Sequence, residues 1–87
     1  MYYVYVMRSH KDKHFYVGFT LDLSKRLKKH NDGLVESTKP RRPFDVVYYE
    51  ACTNKHDAIH RERYLKSTYG KRYIRNRISN YLVEEWG

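Results

Sequence analysis

The sequence has one cysteine, Cys52, and ten acidic residues against eighteen lysines and arginines. A lone cysteine excludes an internal disulfide and any zinc centre built on several thiolates, and it fits a reducing cytoplasm. Both prolines, Pro40 and Pro43, fall in one short stretch. No run approaches the ~18 consecutive apolar residues that a membrane span needs. The N-terminus is too rich in tyrosine for the apolar segment of a signal peptide, so a soluble, unexported protein with no membrane partner is expected. Acids are scarcest from Ala58 to Tyr81, where Glu62 is the only one.

What is present points to an anionic partner. The formal charge is +8, with ten tyrosines among the basic residues, and the pI is near 9.7. Phenols interleaved with cations favour nucleic acid over a membrane surface. A chain of 87 residues makes a single domain, residues 1–87. A domain of that size buries about 60 to 65% of its extended-chain surface, enough for one core.

Tyr2 to Met7 and Phe15 to Phe19 are runs of aromatic and β-branched residues separated by a polar stretch, which predicts an antiparallel hairpin. Alternation puts Tyr3, Tyr5 and Met7 on one face and Tyr2, Val4 and Val6 on the other. In the second strand Tyr16 and Gly18 oppose Phe15, Val17 and Phe19. One face is hydrocarbon, and the other carries phenols beside a glycine, a residue that inside a strand marks the close approach of a ligand or another backbone.

Thr20 or Asp22 can cap a helix running to about Asn31, with Gly33 as its left-handed terminator. On a helical wheel Leu23, Leu27 and Leu34 form a narrow apolar stripe with Arg26 and His30 on its shoulder, while Lys25 and Lys29 face solvent. Glu36 to Pro43 reads as a loop, either phosphate-contacting or simply solvated. Phe44 to Ala51 is a third strand in which Phe44, Val46 and Tyr48 alternate with Val47, Tyr49 and Ala51; apolar character on both faces predicts a central position.

Thr53 or Asn54 starts a further helix that Gly70 is expected to end. Ala58, Leu65 and Tyr69 share its apolar side, and Glu62 falls inside that arc. An unpaired carboxylate there would cost several kcal/mol, so Glu62 must be ion-paired, as with Lys66 one turn on, protonated, or bound to a metal. Lys71 to Glu85 reads as one amphipathic helix with Trp86 pinning its end. His56 and His60 have zinc-ligand spacing without a third ligand beside them. The predicted fold is α/β: a small, mainly antiparallel three-stranded sheet flanked by helices in the order β-β-α-β-α-α.

Tyr3-Val4-Tyr5, then Tyr16-Val17-Gly18, a helix with Arg26 and His30, a third strand and a helix with Glu62 followed by Leu65-Lys66 resemble, in that order, the GIY-YIG endonuclease superfamily in its small stand-alone members. The resemblance implies a metal-dependent nuclease hydrolysing phosphodiester bonds in DNA, selective for structure more than sequence, with a role in DNA repair or recombination. It implies Glu62 as ligand of Mg²⁺ or Mn²⁺, Arg26 as phosphate clamp, and Tyr5, Tyr16 and His30 as the groups that move protons, without saying which is the base. Lys39, Arg41, Arg42, Arg63 and Lys66 are the candidate nucleic-acid contacts. The related excision-repair incision subunit has a lysine where this chain has Phe19, and a late asparagine of some members has only Asn76 and Asn80 as loose counterparts. The other readings are a non-catalytic module binding DNA or RNA, and a basic accessory protein with a protein partner.

Overall fold

In a computed structural model describing residues 1–87, the hairpin strands are β1 (Tyr2–Ser9) and β2 (Phe15–Thr20), followed by α1 (Leu23–Asn31). A 3₁₀ turn (Lys39–Arg41), β3 (Phe44–Cys52), α2 (Lys55–Lys66), α3 (Thr68–Arg77) and α4 (Ser79–Trp86) complete the chain. The sheet is antiparallel with strand order β2-β1-β3. The expected loop thus holds one 3₁₀ turn, which Pro40 starts rather than prevents.

The central strand is β1, not the third strand as its composition suggests. Two apolar faces need two covering helices, and an edge strand can have both. Val46 packs with Leu23 and Leu27 of α1, while Val47, Tyr48 and Cys52 pack on the other face around Ala58 and Leu65 of α2. The simple alternation along this strand also fails. Val6 pairs with Tyr48 but Met7 with Val46, so β3 carries an extra residue that turns Tyr48 to the face opposite Val46.

Because β1 is central, both its faces are roofed. Val4 and Val6 join Phe15, Ala58, Leu65 and Ile74 in one core, and Tyr5, Met7 and Phe44 form a second under α1. A fully buried leucine such as Leu65 contributes about 2 kcal/mol. Asp22 caps α1 by accepting from Lys25 N–H, and Gly33 closes it at φ 77°. Asn31 then fastens the end of α1 to β3: its Oδ1 accepts from Phe44 N–H at 2.7 Å and its Nδ2 donates to Phe44 O at 3.1 Å. Leu34 lies beyond this stop and is exposed, so it drops out of the apolar stripe.

The helix starting after Asn54 ends at Lys66, not at Gly70. Ser67 terminates α2 and caps α3, its Oγ accepting from Gly70 N–H at 3.1 Å. Gly70 is needed for a different reason: a side chain on it would collide with the backbone of Tyr64 and Leu65, so it lets α3 turn tightly against α2. With the helix broken there, Tyr69 leaves the apolar arc and is exposed. The expected last helix is likewise two, α3 and α4, meeting at Ile78, which gives the order β-β-α-β-α-α-α. Trp86 does hold the end, stacking on His10 at 4.3 Å and donating from Nε1 to Tyr81 Oη at 3.3 Å. No helix is long and apolar enough to cross a membrane.

Candidate active site

An open cleft of roughly 580 Å³ follows the outer edge of β2, taking residues from both of its faces, Phe15 to Phe19. Tyr5 reaches it from β1, Arg26 and His30 from α1, Thr38 from the loop, Glu62 and Lys66 from α2, and Lys71 from α3. The sequence-predicted residues Tyr5, Tyr16, Arg26, His30, Glu62 and Lys66 are therefore brought to one cavity. Arg63 is exposed on α2 outside the lining, and so are Lys39 and Arg42 of the loop. Arg42 donates from Nε to Lys39 O at 2.9 Å. Asn76 and Asn80 are exposed and do not line the cleft, nor do the exposed His56 and His60.

Tyr5 lies at the centre of the wall. It pairs across the sheet with Gly18, and its ring runs over that residue. Its oxygen is 2.9 Å from His30 Nε2 and accepts from Arg26 Nε at 3.3 Å. His30 Nδ1 is 2.7 Å from Thr38 Oγ1, whose hydroxyl reaches Val35 O at 3.4 Å. Protonation of His30 at Nδ1 gives every member a partner: Thr38 donates to Val35, Nδ1–H donates to Thr38, and Tyr5 O–H donates to Nε2. The phenol thus points its proton at a neutral imidazole and takes a hydrogen bond from a cation.

Burial raises the Tyr5 phenol above its ordinary value, with the hydrogen bond and charge of Arg26 opposing. Burial also lowers the His30 imidazole, and Arg26 adds to the effect. Both groups are neutral in the free protein near pH 7.

Tyr16 is held differently. Its hydroxyl donates to Asp12 Oδ2 at 2.6 Å, and its ring packs edge-on against Phe44 at 5.4 Å. Burial and the Asp12 hydrogen bond both raise the Tyr16 phenol. Asp12 is desolvated, which alone would raise it, but hydrogen bonds from Tyr16 and His14 hold it below the carboxylate range. Arg41 Nε is 3.5 Å from the same carboxylate oxygen, so this loop arginine faces a hairpin acid.

Glu62 has 20% of its side chain exposed and pairs with Lys66 at 3.1 Å, a half-buried carboxylate with a cation one turn away. No group of three or more His, Cys, Asp or Glu side chains converges anywhere in the molecule. Thr38 in the lining and Asp12 behind Tyr16 are residues that the sequence did not point to, and Lys71 was one of several cations around Glu62 with nothing to single it out. Asp12 and Thr38 sit in irregular connections with no periodicity to place them, and Lys71 stood in a helix whose start was misplaced.

Comparison with known proteins gives a consistent result. The GIY-YIG catalytic domain profile matches residues 1–82. The chain is 37% identical over 86 residues to UPF0213 protein CPE1444 of Clostridium perfringens, covering 98% of this chain and 91% of that one. It is 39% identical over 67 residues to UPF0213 protein SSP2268 of Staphylococcus saprophyticus, covering 76% and 80% respectively. The solution NMR structure of the UPF0213 protein BH0048 from Bacillus halodurans superimposes with a TM-score of 0.53 at 35% identity, covering 85% of this chain and 82% of that one.

Proposed function

We propose, from the premise that this chain belongs to the GIY-YIG catalytic domain family, that it is a divalent-metal-dependent nuclease hydrolysing phosphodiester bonds in DNA. One observation carries the reading: Tyr5, Arg26, His30 and Glu62, from three separate elements, line one cleft under an excess of cations. Selection by DNA structure, a role in repair or recombination and a cytoplasmic location are parts of the same proposal.

The Glu62 carboxylate fits a Mg²⁺ or Mn²⁺ ion, because such ions keep several waters and take one or two carboxylates together with substrate phosphate oxygens. When bound, the ion would polarise the phosphoryl group and offset charge on the leaving oxygen. Lys66 would leave Glu62 for the incoming phosphate, two cations then exchanging partners. Arg26 presents the rest of its planar guanidinium to the phosphate oxygens, which gain charge as the bond breaks.

Tyr5 is the candidate base. A phenol near its reference value of about 10 is a poor one, and burial makes Tyr5 worse in the free protein. The hydrogen bond to His30 supplies the remedy. The Tyr5 proton passes to Nε2 as the phenol oxygen takes one from water, and Thr38 steadies the imidazolium through Nδ1.

Incubation with nicked, flapped and branched duplexes in Mg²⁺ or Mn²⁺ tests this. Metal-stimulated cutting that Glu62→Ala abolishes is expected, and equal cutting by that variant would sink the reading. The Lys66 pairing of Glu62 favours a second reading, a non-catalytic DNA- or RNA-binding module. Binding that weakens steeply with salt, without any cutting under these conditions, would decide for it.

A further inference from the structure

The two phenols of the cleft face opposite partners. Tyr5 points at a neutral ring and touches a guanidinium, whereas Tyr16 donates its proton to a carboxylate at 2.6 Å. Both oxygens of that carboxylate have partners. Asp12 Oδ1 accepts from His14 N–H at 2.8 Å, and Oδ2 has Tyr16 and, at 3.5 Å, Arg41. Arg41 is itself placed by Ser9, whose Oγ donates to the Arg41 carbonyl at 2.6 Å. Ser9 is buried, and it also accepts from Lys11 and Asp12 N–H, so one residue sets the turn that carries Asp12 and the loop that carries Arg41.

A phenol has one proton and two lone pairs. With its proton committed to Asp12, Tyr16 shows the cleft lone pairs only. Phosphate oxygens are acceptors and cannot bond to them; a water can. We infer that Asp12 is a positioning residue that fixes Tyr16 as an acceptor, so that Tyr16 orients the attacking water and leaves proton removal to Tyr5 and His30. This rests on the nuclease reading and adds to it a division of labour between the two tyrosines. Burial and the Asp12 charge, which both keep Tyr16 neutral, agree with an acceptor that is not itself a base.

The polarity can be reversed with one atom. In Asp12→Asn, an amide that keeps its oxygen on His14 N–H turns its NH₂ towards Tyr16, which then accepts there and points its own proton into the cleft. With ¹³C-labelled tyrosine, the Tyr16 titration midpoint followed by NMR should fall in Asp12→Asn and rise in Arg41→Gln, which removes the charge and the guanidinium hydrogen bond that oppose the rise. The second variant leaves the Asp12 turn intact should the first fail to fold. On a branched duplex that the wild-type chain cuts, Asp12→Asn should lower kcat about tenfold or more with KM little changed. In a Tyr16→Phe background it should lower kcat no further. An equal loss in both backgrounds, or a Tyr16 midpoint that neither variant moves, overturns the inference. If the wild-type chain cuts no DNA, the nuclease reading fails and the water-holding role with it, while the titration still decides whether Asp12 holds the Tyr16 proton.

Discussion

The phenol of Tyr5 occupies the space in which a side chain on Gly18 would begin, so that glycine is required by the neighbouring strand. The two residues are cross-strand partners, and the ring passes over Gly18 on its way to His30 and Arg26. The conformation of Gly18 is ordinary for a strand; only the missing Cβ matters.

Gly18→Ala should therefore displace the Tyr5 ring and cost about 1 to 3 kcal/mol by overpacking. For a domain of this size each kcal/mol lowers Tm by roughly 4 to 8 °C. Thermal melts would show this, and Tyr5→Ala in the same chain should remove most of the added cost. A melt unchanged by Gly18→Ala would mean that the ring has room to move aside.

Lys66 pairs with Glu62 at 3.1 Å and would compete with an incoming metal ion for that carboxylate. Lys66→Ala should lower the Mg²⁺ concentration needed for half-maximal cutting several-fold and raise the KM for DNA, since the freed carboxylate loses a competitor and the phosphate loses a contact. Metal titrations at saturating DNA separate the two effects. A half-saturation point unchanged by the substitution would show that the pair does not gate the carboxylate.

His30 titrates below its ordinary value of 6.5, because burial and then Arg26 disfavour the imidazolium. Its depressed folded value means that the unfolded chain binds the proton first as pH falls. The His30 contribution to stability is complete above about pH 6.5 and is lost as pH drops from there through the folded value. NMR titration should place the midpoint below 6.5, and Arg26→Gln should move it upward. Cutting should fall off along the same acid limb, where His30 can no longer accept the Tyr5 proton. A midpoint at or above the ordinary value would contradict the buried geometry.

Glu50 and Arg61 form a two-pronged ion pair, with contacts of 2.9 and 2.8 Å, that ties β3 to α2. The hydrogen bond from Arg61 holds the Glu50 carboxyl below its ordinary value. Its stabilising contribution is present above that value and lost as pH falls through the depressed one. Arg61→Ala should cost about 1 to 3 kcal/mol at neutral pH and much less in acid. Melts at both pH values would check this, and near-neutral loss that persists unchanged in acid would point to packing on Tyr64 and Tyr73 instead.

Much of this could be read before any coordinates. Period-two alternation placed the hairpin and its two faces, because Val4, Val6, Tyr5 and Met7 are each committed to one side by side-chain chemistry. Capping residues, Thr20 or Asp22 and Thr53 or Asn54, bracketed two helix starts, and Asp22 and Asn54 are the ones that accept the local hydrogen bonds. Glu62 stood out because a carboxylate in an apolar arc is costly wherever the helix packs. Readings failed where a local pattern had two tertiary meanings. Gly70 looks like a terminator in one dimension and is a contact point between α2 and α3 in three. The two apolar faces of Phe44–Cys52 suit a central strand as well as an edge strand that two helices cover.

The sequence by itself determined the three strands, the starts of the first two helices to within a residue or two, the cationic character and the candidates for chemistry, since propensity, charge and capping act over a few neighbouring residues. Only the tertiary structure decided that β1 is central, that a β-bulge turns Tyr48 to the α2 face, and that Asp12 and Thr38 partner Tyr16 and His30. Those pairings depend on how loops fold back across the sheet. A hydrogen bond between Thr38 and His30, eight residues apart across a loop, leaves no period in the chain by which to find it.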